Sequence, residues 1–186
     1  MADAIPRAGV FALQKLRTGN YYGPVGMVGG AATLAITANN LYAVPFLVQR
    51  TTTWDRIALQ VTTGGIATTT ARLGIYNDGT NLYPGTLVVD AGTVAVDSTG
   101  VKAATISQQL QPGLYWLAFV SDGAPVIRRT GTVPWGLLGV DGTELTAQDA
   151  LWTVAFTYAA LPDPFTAGGT ESDDHYIVCL RLLSLD

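Results

Sequence analysis

Between Ala71 and Phe119 the chain reads ARLGIYNDGTNLYPGTLVVDAGTVAVDSTGVKAATISQQLQPGLYWLAF. Short apolar or β-branched segments (ARLGIY, TLVVD, TVAV, KAATI and GLYWLAF) alternate there with Asn77-Asp78-Gly79, Pro84-Gly85, Ala91-Gly92, Ser98-Thr99-Gly100 and Pro112-Gly113. Segments this short, separated by residues that supply positive φ or fix φ near −65°, have no room for helices and return on themselves as antiparallel strands. This rhythm predicts an all-β fold, an antiparallel β-sandwich of jelly-roll-like character with about ten strands.

The flanking chain extends the pattern. TLAIT and LYAVPFLV flank the Asn39-Asn40 turn signal, and Pro45, which cannot donate to a ladder, predicts an edge or a break in the second run. WDRIALQVTT alternates, with Trp54, Arg56, Ala58 and Gln60 on one face and Asp55, Ile57, Leu59 and Val61 on the other. PGTLVVD and AGTVAVD form a near-repeat, which predicts two short strands joined by a tight Asp-Ala-Gly corner. GLYWLAFV is apolar on both faces and is predicted to be a central strand covered on both sides. Later, APVIRRT and LWTVAFTYAAL read as strands, TVPWGLLGVDGTE as a loop packing Trp135, and LPDPFTAGGTESDDHY as a long link. HYIVCLRLLSL closes the chain as a strand apolar on both faces, pairing with an early strand.

Residues 1–40 differ. GNYYGPVGMVGGAATL is glycine-rich and lacks a period, and the residues before it offer only about three turns of helix from Ala8 to Arg17. This region is predicted to be an arm that docks on other copies or on a larger particle, with Tyr21, Tyr22 and Met27 as assembly contacts; residues 41–186 form the single sandwich domain.

Composition narrows the function classes. A chain of 186 residues buries roughly 70% of its unfolded surface and needs no staples. Its one cysteine, Cys179, lies in the apolar run YIVCLRLL and reads as a small buried thiol. Charged residues make up 13% of the chain and the net charge is −4, so no basic surface is offered to nucleic acid; Arg128-Arg129 reads as a solvated strand end. Soluble domains usually carry about 25% charged residues, so this surface is expected to be partly covered by neighbours. MADAIPRAGVFAL lacks the basic start and long apolar stretch of a secretory signal, and no apolar run approaches roughly 18 residues, so synthesis in the cytosol without membrane insertion is expected.

Chemistry-bearing groups are few. Glu171-Ser172-Asp173-Asp174-His175 brings three carboxylates and the only histidine together, making Asp173, Asp174 and His175 the metal candidates. The spacing matches no metal motif, and acidic residues just before a buried terminal strand are more often a solvated loop that blocks aggregation, so no cofactor is implied. Asn77-Asp78-Gly79-Thr80-Asn81 resembles the start of a calcium loop without the closing glutamate, and reads better as a hairpin turn using Asp-Gly. Tyr76, Asn77, Asp78, Asn81 and Tyr83 are the types of residue that hold a sugar, by ring stacking and hydrogen bonds to hydroxyls; they are the candidate receptor or glycan contacts. The alternative is that these aromatics pack a loop onto the sandwich. Nucleophile and phosphate-loop motifs are absent, and Asp55, Asp90 and Asp97 read as turn chemistry, so no enzyme is expected.

The order RLGIYND, Tyr83-Pro84-Gly85-Thr86-Leu87, DAGTV and PGLYWLAF resembles a β-sandwich module of tailed-phage virion proteins, well over residues 42–120 and loosely elsewhere. The resemblance implies a tail-fibre or baseplate subunit that contacts a host receptor, or a capsid decoration or head-fibre subunit. It also implies virion localisation, contacts with other virion proteins, and a homo-oligomer, with a trimer the expected form. A carbohydrate-binding module is the alternative from another class; the absence of a secretory signal disfavours it.

Overall fold

The computed structural model describes residues 16–24, 30–131, 137–139 and 149–186. The possible helix before Arg17, apart from its last two residues, lies outside them, as do Met27 and Trp135. The described residues contain no helix and form twelve strands. These are β1 (Tyr21–Tyr22), β2 (Ala31–Ala35), β3 (Asn40–Val48), β4 (Thr52–Thr63), β5 (Thr70–Asp78), β6 (Pro84–Ala95), β7 (Gly100–Leu110), β8 (Gly113–Ser121), β9 (Val126–Thr130), β10 (Leu151–Ala155), β11 (Thr170–Ser172) and β12 (Val178–Leu185). β1 and β2 fall within the stretch read as an arm, and they join the sandwich's own sheet by pairing with β12 and β9.

The strands make two antiparallel sheets packed face to face, the β-sandwich that the turn rhythm predicts. One sheet, centred on β4, runs β1-β12-β4-β9-β2, with β7 on the side of β4 opposite β12. The other, centred on β8, runs β11-β10-β3-β8-β5-β6. Most consecutive strands lie in different sheets, so most connections carry the chain across the core, with β5–β6 and β10–β11 among those staying within one sheet. The closing strand β12 pairs with β4, as expected of a sandwich that ends on an early strand.

Alternation places Tyr42, Val44 and Phe46 of β3, Leu73 and Ile75 of β5, and Leu117 and Phe119 of β8 against Ile57, Leu59, Ile127, Val178, Leu180 and Leu182 of the other sheet. Burying each such side chain contributes about 1.5–3 kcal/mol. Tyr42 stacks on Phe119 with centroids 4.8 Å apart, and Tyr176 stands edge-on to both rings. Burial pushes the Tyr176 phenol well above its ordinary range, so it stays neutral and donates to the Ala35 carbonyl.

Four elements depart from simple alternation. The β4 ladder breaks at Asp55, so the phase of the strand slips. Trp54, expected beside Arg56, Ala58 and Gln60, therefore joins Ile57 and Leu59 in the core, edge-on to Phe46. The near-repeat is one continuous strand, β6, with a bulge at its centre: Leu73 faces Gly92 while Gly74 faces Asp90, and Gly92 takes φ +80°. Asp-Ala-Gly chemistry serves a bulge as well as it serves a corner. β12 is apolar on one face only, since Val178, Leu180 and Leu182 are buried while Leu183 is 49% exposed. Finally, Pro45 lies beyond Ala43, the last β3 residue paired with β10, where β3 becomes an edge on that side and no donor is needed.

Candidate functional site

β8 lies between β3 and β5, and Trp116, Leu117, Ala118, Phe119 and Val120 are all fully buried, as a strand apolar on both faces requires. Leu117 and Phe119 face the inter-sheet core, whereas Trp116, Ala118 and Val120 face away from it. What covers that outer face is the segment 156–169. Leu161 and Phe165 descend from it onto Leu41, Ala43, Tyr76, Trp116 and Ala118, and Tyr83, Trp152, Phe156 and Tyr158 close the sides. The β8 sheet therefore has a core on each face.

Polar groups fasten this roof. The Tyr76 hydroxyl donates to the Pro162 carbonyl at 2.7 Å, and Tyr83 donates to the Thr166 carbonyl at 2.6 Å while accepting from the Gly169 amide. The Phe165 amide donates to the Gly85 carbonyl at 2.9 Å, and the Leu87 amide to Asp163 at 3.0 Å. Asp90 accepts from Arg72 Nε through both oxygens, at 2.9 and 2.7 Å, from its bulge partner Gly92 N, and from the Leu161 amide at 3.1 Å. One carboxylate thus fixes the bulge, the neighbouring strand and the roof together. Gly74 makes room for the roof: a Cβ there would lie 2.2 Å from Leu161 Cδ1.

The residues expected to meet a sugar are placed by this arrangement. Tyr76 is fully buried and its phenol is pushed well above the ordinary range by burial, so its ring packs the roof and presents nothing to a ligand. Tyr83 is half-buried between Trp152 and Phe165, at 4.8 and 5.6 Å. Asn77 donates to Thr86, and Asp78 accepts from Trp116 Nε1 at 2.9 Å. These are fastening roles, for the physical reason that a doubly apolar sheet needs a second cover. Asn81 stands exposed at the tip, and the positive φ of the turn falls on Asn81 and Leu82 rather than on Gly79. Gly79 is needed instead for space, because a Cβ there would meet the Tyr83 carbonyl at 2.7 Å. Leu82, 38% exposed, takes Trp152 Nε1 on its carbonyl at 2.7 Å.

The metal candidates do not converge. His175 is buried and its carbonyl accepts from the Thr130 amide, Asp174 faces Arg129 at 3.9 Å, and Asp173 is exposed. Among the described residues no three His, Cys, Asp or Glu side chains gather as a metal would need. Asp55 and Asp90 lie in opposite sheets, each on its own arginine; the Arg181 guanidinium grips Asp55 through two bonds and holds its carboxyl below the usual range. Burial pushes the Cys179 thiol up to about 11, as for a packing residue beside Gly23. Of the expected assembly contacts, Tyr22 turns its ring onto Trp54 at 6.0 Å, while Tyr21 is 42% exposed.

Asp90, Arg72, Leu161 and Phe165 escape motif reasoning. One signal points to them: GLYWLAFV needs two covers, and LPDPF is an apolar stretch inside an otherwise polar link. No helix among the described residues is long and apolar enough to cross a membrane. No protein-family model matches the chain, and no curated protein matches its sequence.

Proposed function

We propose that this chain is a structural subunit of the exterior of a tailed-phage particle, of tail-fibre or baseplate type, that contacts the host through its exposed turns. The observation that carries the reading is the roofed sheet. The segment with the richest turn chemistry is spent on closing the molecule, which suits a scaffold better than a ligand pocket. The resemblance over residues 42–120 and the 13% of charged residues support the same reading, since a sparsely charged surface suits subunits packed against neighbours. The exposed tip residues Asn81 and Leu82 are the contacts proposed toward a receptor.

Gold-labelled antibody against the chain, imaged on purified particles, tests this. Label at the tail end is the expected result. Label on the head would select the decoration or head-fibre alternative, and particles without label would overturn the proposal. Glycan-array binding lost on Asn81→Ala would add saccharide recognition by the same subunit.

A further inference from the structure

Five strands have a single paired side among the described residues: β1, β2, β6, β7 and β11. Three are too short to template much, at 2, 5 and 3 residues for β1, β2 and β11. β6 spans 12 residues but is blunted: it opens on Pro84, its ladder with β5 shifts at three points, and Gly92 bends it. β7 is different. Its 11 residues, GVKAATISQQL, hold no proline and one charge, Lys102, and its ladder with β4 shifts once. Long edges with so little protection are the ones that pair with another chain.

The burial of β7 points the same way. Val101, Ala103, Thr105, Ser107 and Gln109 are exposed, while Ala104 and Ile106 face the core. At 6% and 7%, Ala104 and Ile106 are the most exposed members of the inter-sheet core. The core is therefore least sealed along this edge.

We propose that β7 pairs antiparallel with β7 of a second copy, so that the β4 sheet runs on through two molecules. A second β7 is the occupant because the other single-sided strands are short or blunted, and a two-fold contact matches equal lengths. Placing Thr105 opposite Thr105 overlaps the whole strand and keeps both faces in phase. Lys102 then faces Gln108, so no like charges meet, and Ala104 covers Ile106 of the other copy. The inference deepens the assembly part of the proposed function without needing a particle. It predicts even copy numbers in place of the trimer that the resemblance implies.

Sedimentation equilibrium of the full chain across micromolar concentrations tests it. A monomer–dimer equilibrium is expected. Thr105→Lys should weaken it at least about tenfold, because two ammonium groups would face each other, while Thr105→Ser leaves it unchanged. An unchanged far-ultraviolet circular dichroism spectrum would show that Thr105→Lys still folds, since loss of the dimer alone lowers the melting temperature. In a Cys179→Ser background, Thr105→Cys should form a disulfide-linked dimer on oxidation, and Val101→Cys, which would face Gln109, should not. A monomer at every concentration, a three-copy species, or equal cross-linking at both positions would overturn the proposal.

Discussion

The outer faces of the two sheets solve the same problem in different ways. On the β4 sheet the outward residues are small or polar, among them Asp55, Ala103, Thr105, Ser107 and Arg181, with single apolar side chains such as Val101 left in water. On the β8 sheet the outward residues are Leu41, Ala43, Tyr76, Trp116 and Val120, and a separate segment must cover them. Alternation carries the first face; the second depends on chain that arrives 43 residues after β8 begins at Gly113, at Phe156 and beyond. A sheet can thus be made central without a third layer, provided one loop is apolar enough to act as that layer.

The largest test of this contrast is Trp116→Ala. If the roof and sheet form a second core, this substitution should cost about 3–5 kcal/mol, as much as Phe119→Ala in the inter-sheet core. Paired chemical-denaturation curves would show it, and a cost for Trp116→Ala well below that of Phe119→Ala would make the roof a loose loop. Tyr83→Phe should cost about 1 kcal/mol by removing the bonds to Thr166 and Gly169, read from the same denaturation curves. Asp55→Asn, on the open face, should cost less than about 1 kcal/mol near neutral pH. Its folded carboxyl titrates below the unfolded value, so the contribution is present above about pH 4 and lost as pH falls through the folded value. The variant's stability should therefore fall less steeply with acid than the parent's.

Much of the fold is legible in the residues themselves. The turn signals mark the β5–β6 and β7–β8 connections, and GLYWLAFV announces a central strand because nothing polar interrupts either face. Bulges are harder, since Asp90-Ala91-Gly92 offers the same φ > 0 glycine to a bulge as to a turn, and the slip at Asp55 leaves no mark except a tryptophan out of phase. Tyr76 and Tyr83 show where reading stops. An aromatic beside Asn and Asp in a hairpin has the same local pattern whether it meets solvent or a roof, and the roof is encoded more than 70 residues away.

Hydrogen exchange read by mass spectrometry at single-amide resolution tests the roof most directly. The amides of Leu161, Phe165 and Gly169 donate to Asp90, the Gly85 carbonyl and Tyr83, so they should be protected to nearly the same degree as β8. Full exchange of these three at the first time point, with β8 still protected, would contradict the account.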